Sequence, residues 1–127
     1  MAWEVVESSG APRAVGPYSQ GIKAREWVFL SGQIPLDPEQ GELVGDSIEE
    51  QTERVLENLK ALLEAAGLGL GDVVQCTVYM VDLEEFPAMN RVYARYFPRN
   101  PPARVTVGVA SLPRGARIEI SAVALAG

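Results

Sequence analysis

Histidine is absent from this 127-residue chain, and cysteine occurs once, as Cys76. Without histidine there is no Ser-His-Asp or Cys-His catalytic system and no His-ligated zinc. A lone thiol forms no internal disulfide and no cysteine cage, so no metal site is expected. No window approaches the roughly 20 apolar residues that a membrane-spanning helix requires. The opening Met1-Ala2-Trp3-Glu4-Val5-Val6-Glu7 lacks a basic stretch followed by an apolar one, so no secretory signal is expected. The cytoplasm is the expected compartment. Positive charge is also scarce, with 11 Lys and Arg against 17 Asp and Glu and a net charge of −6. A broad basic face for nucleic acid is therefore disfavoured. Arginine outnumbers lysine nine to two, a bias compatible with either coding preference or heat adaptation.

What remains is an ordinary globular composition, 47% apolar and 22% charged. One domain, residues 1–127, is expected, with no linker or repeat to divide it. The pattern reads as two short strands, a longer strand, a helix, a strand, a helix and two final strands. Ser47-Ile48-Glu49-Glu50 has the form of a capping box. Ile48, Val55, Leu59, Leu62 and Ala66 follow at helical spacing, and Gly67 supplies the stop. Asp82-Leu83-Glu84-Glu85 opens a second helix, with Phe86, Met89, Tyr93 and Phe97 as its inward stripe and Pro98 at its end. The acid pairs Glu49/Glu50 and Glu84/Glu85 read as compensation of helix dipoles rather than as metal ligands.

Val73 to Val81 is a β-rich run with Val74, Cys76, Val78 and Met80 on one side and Val73, Tyr79 and Val81 on the other. Trp27-Val28-Phe29-Leu30 is similar. Strands apolar on both sides are normally buried on both sides. Two helices cover one face of a five- or six-stranded, mostly antiparallel sheet, so the other face is expected to meet a further copy of the chain. An α+β fold with a self-associating sheet follows.

The chemistry gathers on Arg104-Val105-Thr106-Val107-Gly108-Val109 and Arg117-Ile118-Glu119-Ile120-Ser121. Taken as adjacent antiparallel strands, they match Val105 and Val107 with Ile120 and Ile118. That register sets Thr106 opposite Glu119 and Arg104 opposite Ser121, so Arg104 and Glu119 become diagonal neighbours about 7–8 Å apart. A surface salt bridge is one reading of the pair. A site for a small carboxylate is the other, since arginine offers a bidentate fork and buried charges are costly unless employed. Cys76 reads as a core residue.

Pro102-Ala103-Arg104, Leu112-Pro113-Arg114-Gly115 and Ile118-Glu119-Ile120 resemble the C-terminal signature of the Rid family, the YjgF-like proteins. Gly16-Pro17-Tyr18-Ser19-Gln20-Gly21 and Ser31-Gly32-Gln33-Ile34-Pro35 resemble its N-terminal motifs. Gly71-Asp72-Val73-Val74, Thr77-Val78-Tyr79, and Phe86 through Asn90 to Tyr93 are similar to its middle. The resemblance spans nearly the whole chain in the family's order. It implies a chorismate-mutase-like fold and a homotrimer with three clefts at subunit interfaces. It further implies hydrolysis of 2-imino acids to 2-oxo acids and ammonia, with neither metal nor cofactor. Such imines arise when pyridoxal-phosphate enzymes dehydrate serine or threonine.

By the same resemblance Arg104 grips the substrate carboxylate and Glu119 holds and polarises the attacking water. Tyr18 walls the pocket across the interface, Ser31 and Gly32 line it, and Asn90 shapes it. Thr106 replaces the cysteine of the best-known members and is read as a binding contact only. An imine carbon is already electrophilic, which suits a site without a strong nucleophile. Two other functions stay open: a non-catalytic sensor of small carboxylates, and the translation inhibition with ribonuclease activity described for some members.

Overall fold

The computed structural model describes residues 2–127. Three strands open the chain, β1 (Glu4–Val6), β2 (Gly21–Ala24) and β3 (Trp27–Gln33). Helix α1 (Ile48–Ala65), strand β4 (Val73–Met80), helix α2 (Phe86–Tyr96), β5 (Ala103–Gly108) and β6 (Ile118–Leu125) follow. The strands form one sheet in the order β1-β2-β3-β6-β4-β5. Only the β4/β5 pair is parallel. This is the expected α+β architecture, six-stranded and mostly antiparallel.

Helix α1 begins as its sequence dictates. Ser47 accepts from the Glu50 N–H at 3.1 Å, and the Glu50 carboxylate accepts from the Ser47 N–H at 3.2 Å. The Asp46 N–H, the Ser47 N–H and the Ser47 hydroxyl all donate to the Glu50 carboxylate, which holds it below its usual range and employs it as a cap. Gly67 ends the helix with φ +78°. The apolar stripe is wider than the spacing suggested, adding Leu56 and Leu63 to Val55, Leu59 and Leu62. These side chains pack on Ile118, Ile120 and Ala124 of β6, Cys76, Val78 and Met80 of β4, and Val28 and Leu30 of β3. Met89, Tyr93 and Phe97 complete the core from α2 and the residue that follows it.

Buried polar side chains tie the loops to this core. Asn58 donates to the Leu36 carbonyl at 3.0 Å, fixing the segment after β3. Gln51 donates to the Gly45 carbonyl at 3.0 Å and accepts from the Arg117 N–H at 2.8 Å, holding the approach to β6.

Two strand expectations are overturned. Val74 does not share a face with Cys76. A register shift between Val73 and Gln75 turns Val73 into the core and leaves Val74 exposed. More consequentially, β5 and β6 are not neighbours, because β4 lies between them. The hairpin register assumed that Val105 and Val107 share a face with Ile118 and Ile120. In fact Ile118 and Ile120 are fully buried under the helices, whereas Val105 and Val107 are 45% and 38% exposed. An eight-residue strand that buries Ile118, Ile120, Ala122 and Ala124 belongs in the centre, bonded on both edges. The α2 crossover instead returns the chain parallel to β4, so β5 docks on its outer edge.

The face opposite the helices is uncovered. Trp27, Phe29, Val105, Val107 and Leu125 are all exposed on it, Phe29 by 47%.

Candidate active site

The strand order separates the charged pair. Arg104 aligns with Cys76, and Cys76 with Ala122, forming a row that faces the helices. Val107 aligns with Tyr79, and Tyr79 with Glu119, forming a row on the open face. Within one chain Arg104 and Glu119 are therefore on opposite sides of the sheet, not diagonal neighbours. Likewise Thr106 is aligned with Val78, and Ser121 with Thr77. The seven predicted residues fall into two groups.

The acidic group lies in a pocket of about 370 Å³ lined by Tyr18, Ser31, Gly32, Pro113 and Glu119, with Arg13 and Leu36 at its sides. Its base is a bulge. β3 and β6 pair Leu30 with Ala122 and Gln33 with Ile120, so an extra residue is accommodated at Ser31-Gly32. The Glu119 carboxyl lies flush against Gly32. A Cβ there would stand 2.9 Å from the Glu119 Cδ and closer still to Oε2, which accounts for glycine at this position. Burial alone pushes the Glu119 carboxyl up from its ordinary value. Among the described residues the Glu119 carboxyl has no ion pair and no hydrogen-bond donor to offset it.

Ser31 is a brace as well as a lining residue. Its hydroxyl donates to the Ser19 carbonyl at 2.6 Å, and its N–H donates to the Gln20 carbonyl at 2.9 Å. The turn that carries Tyr18 is thereby pinned to the sheet. Tyr18 Oη accepts from the Val15 N–H at 3.3 Å, and the ring stays about half exposed.

The basic group occupies a second pocket of about 370 Å³, lined by Asn90, Tyr93, Ala94, Phe97, Pro101, Pro102 and Arg104. Asn90 and Tyr93 are three residues apart on α2 and so share a face. The half-buried Arg104 guanidinium lies over two rings, 4.8 Å from the centroid of Tyr93 and 5.4 Å from that of Phe86. Thr106 Oγ1 is buried without a hydrogen-bond partner. Cys76 is a buried free thiol, and burial pushes its pKa up while Tyr93 and Arg104 beside it offset part of the shift.

Two contributors escaped the sequence reading. Gln20 is buried and donates to the Pro12 carbonyl at 2.7 Å while accepting from the Ser8 N–H at 2.9 Å, fastening the loop that walls the acidic pocket. Its signal was its place inside the Gly16–Gly21 motif. Tyr93 was assigned to the core stripe. A hydroxyl on that stripe, one turn after Asn90, was the available hint.

With this geometry in view, comparison with known proteins is direct. The family model described as Endoribonuclease L-PSP matches residues 8–126. A RutC family protein of Pyrococcus abyssi is 53% identical over 98% of both chains. The human 2-iminobutanoate/2-iminopropanoate deaminase is 42% identical over 97% of this chain and 90% of its own. The chain belongs to the Rid family. Its fold is accordingly that of Rid proteins: Escherichia coli TdcF, solved with bound serine, superposes with a TM-score of 0.93 at 41% identity, covering 98% of this chain and 99% of that one. The Rid family includes deaminases that act on small imines. No helix among the described residues is long and apolar enough to cross a membrane.

Proposed function

We propose that this Rid protein hydrolyses reactive 2-imino acids to 2-oxo acids and ammonia, in the cytoplasm, at clefts formed between copies of the chain in a homotrimer. The observation that carries the reading is the separation of two complementary half-sites. Among the described residues, one presents a half-buried carboxyl that forms no ion pair, and the other a half-buried guanidinium that forms none. One chain cannot join them across its own sheet. A neighbouring copy on the uncovered apolar face can.

In the joined cleft Arg104 of one copy grips the substrate carboxylate through its bidentate fork, which sets C2 beside a water on Glu119 of the other. Proximity and orientation then supply much of the acceleration. The water oxygen bonds to C2 of the protonated imine while Glu119 takes one of its protons. Glu119 returns that proton to the nitrogen of the carbinolamine. The C–N bond breaks, ammonia leaves, and the remaining hydroxyl passes its proton to the regenerated Glu119 carboxylate, and from there to water, as the 2-oxo group forms. A carboxyl raised by burial suits both steps, because it accepts a proton and gives it back. Tyr18, Ser31, Gly32, Asn90 and Thr106 bound the cleft, and no metal or cofactor takes part.

The test is ammonia release from 2-iminobutanoate or 2-iminopropanoate generated in situ by a threonine or serine dehydratase. A rate well above the spontaneous one, insensitive to EDTA, is expected. Binding of 2-oxo acids with no release above background would replace catalysis by carboxylate sensing.

A further inference from the structure

Arg104 forms no ion pair among the described residues. Its half-buried charge is instead held by aromatic faces, at 4.8 Å from Tyr93 and 5.4 Å from Phe86. Those two residues are seven apart on α2, two turns along one stripe. The Tyr93 ring is itself held by Phe97, with centroids 4.7 Å apart and planes tilted by 38°. Its hydroxyl is buried beside Cys76 and has no partner in hydrogen-bond geometry. The ring thus has a fixed place in the core, and its contact with Arg104 uses its face rather than its hydroxyl.

We propose that Phe86 and Tyr93 are positioning residues: an aromatic cradle that orients the Arg104 guanidinium while leaving its N–H donors free for an incoming carboxylate. A carboxylate partner would orient the guanidinium equally well, but it would occupy the fork and cancel the charge. Ring faces attract the cation through their quadrupole and consume no donor. This inference rests on the proposed function only in naming the anion as the carboxylate of a 2-imino acid. The cradle itself stands on the geometry.

The test combines steady-state kinetics on 2-iminobutanoate with nitrogen-15 NMR of arginine side chains, the Arg104 signal being assigned by its disappearance in Arg104→Lys. Tyr93→Leu is expected to raise KM about three- to tenfold, the range of one cation–π contact, with a smaller fall in kcat. Tyr93→Phe keeps the ring and retains wild-type KM. The Arg104 Nε–H resonance, shielded by the rings in wild type and Tyr93→Phe, moves downfield in Tyr93→Leu. Phe86→Leu, at a less buried position, carries the same expectations should Tyr93→Leu not fold. An unmoved resonance in the leucine variants overturns the cradle. So does a KM that is unchanged in the leucine variants, or one raised equally by Tyr93→Phe, which would transfer the role to the hydroxyl. If wild type neither hydrolyses the imine nor binds 2-oxobutanoate, the proposed function fails, and the resonances alone decide the cradle.

Discussion

The two half-sites are built by different means. Around Glu119 the backbone does the positioning: a bulge at Ser31-Gly32, a glycine without a side chain, and a turn pinned through Ser31 and Gln20. Around Arg104 side chains do it, through ring faces on α2 and a wall of prolines at 101 and 102. The acid is placed within the paired interior of the sheet, and the base on its outer edge. Partial burial in a close-fitting recess raises the pKa of a carboxyl, which suits it to taking up and returning a proton. A guanidinium stays charged almost anywhere, so orientation is what it requires.

The sharpest test of this division breaks each half separately. Arg104→Lys loses the fork and Glu119→Gln loses the proton shuttle. Each is expected to lower kcat/KM by on the order of 100-fold or more, with a sedimentation coefficient unchanged from wild type. Co-refolding Arg104→Met with Glu119→Gln should then restore activity to about a quarter of wild type, the fraction of interfaces that combine an intact arginine with an intact glutamate. No recovery in refolded mixed oligomers would refute a site shared between copies.

Gly32→Ala should act on the acidic half alone. Its Cβ collides with Glu119, so activity is expected to fall about tenfold or more while 2-oxo acid binding through Arg104 persists. Calorimetric titration with 2-oxobutanoate reads the second part.

The pH profile sharpens the same contrast with a smaller effect. Glu119 must be ionised to accept a proton, and burial raises its pKa, so the acid limb of kcat/KM is expected above the ordinary carboxylate value of 4.5. A limb below that value would mean that the neighbouring arginine outweighs burial. Smallest is Ser47→Ala, remote from both halves. It removes the α1 cap and should cost about 1 kcal/mol in chemical denaturation without altering KM.

Local features of the fold were legible, and non-local ones were not. The Ser47 cap and the Gly67 stop each depend on residues within a turn or two and appear as read, as does the α2 stripe with Phe97 just past the helix end. Asp82, however, caps a separate 3-10 turn, Leu83–Glu85, and α2 itself starts at Phe86 without a side-chain cap. The partnering of β5 depends on which strand wins the sheet centre, a contest decided by the burial of Ile118 through Ala124 against α1. No short-range rule expresses that contest, so alternation alone gave a plausible hairpin with the wrong faces. The bulge at Ser31-Gly32 was equally invisible, although Gly32 marked its place. Motif resemblance assigns Arg104 and Glu119 to one site independently of any register, because it carries no assumption about which copy of the chain supplies each residue; their joining is part of the proposal.

Cys76 has a consequence of another kind. Its thiol is fully buried beneath Tyr93 at the junction of β4 and α2, and burial disfavours the thiolate. Alkylating reagents attack the thiolate, so the native chain should be inert to them until this junction opens. The rate of Cys76 labelling then becomes a clock for local opening of the helix that carries the Arg104 cradle. A bound 2-oxo acid that steadies the junction would slow that clock, turning the chain's lone sulfhydryl into an internal reporter of site occupancy.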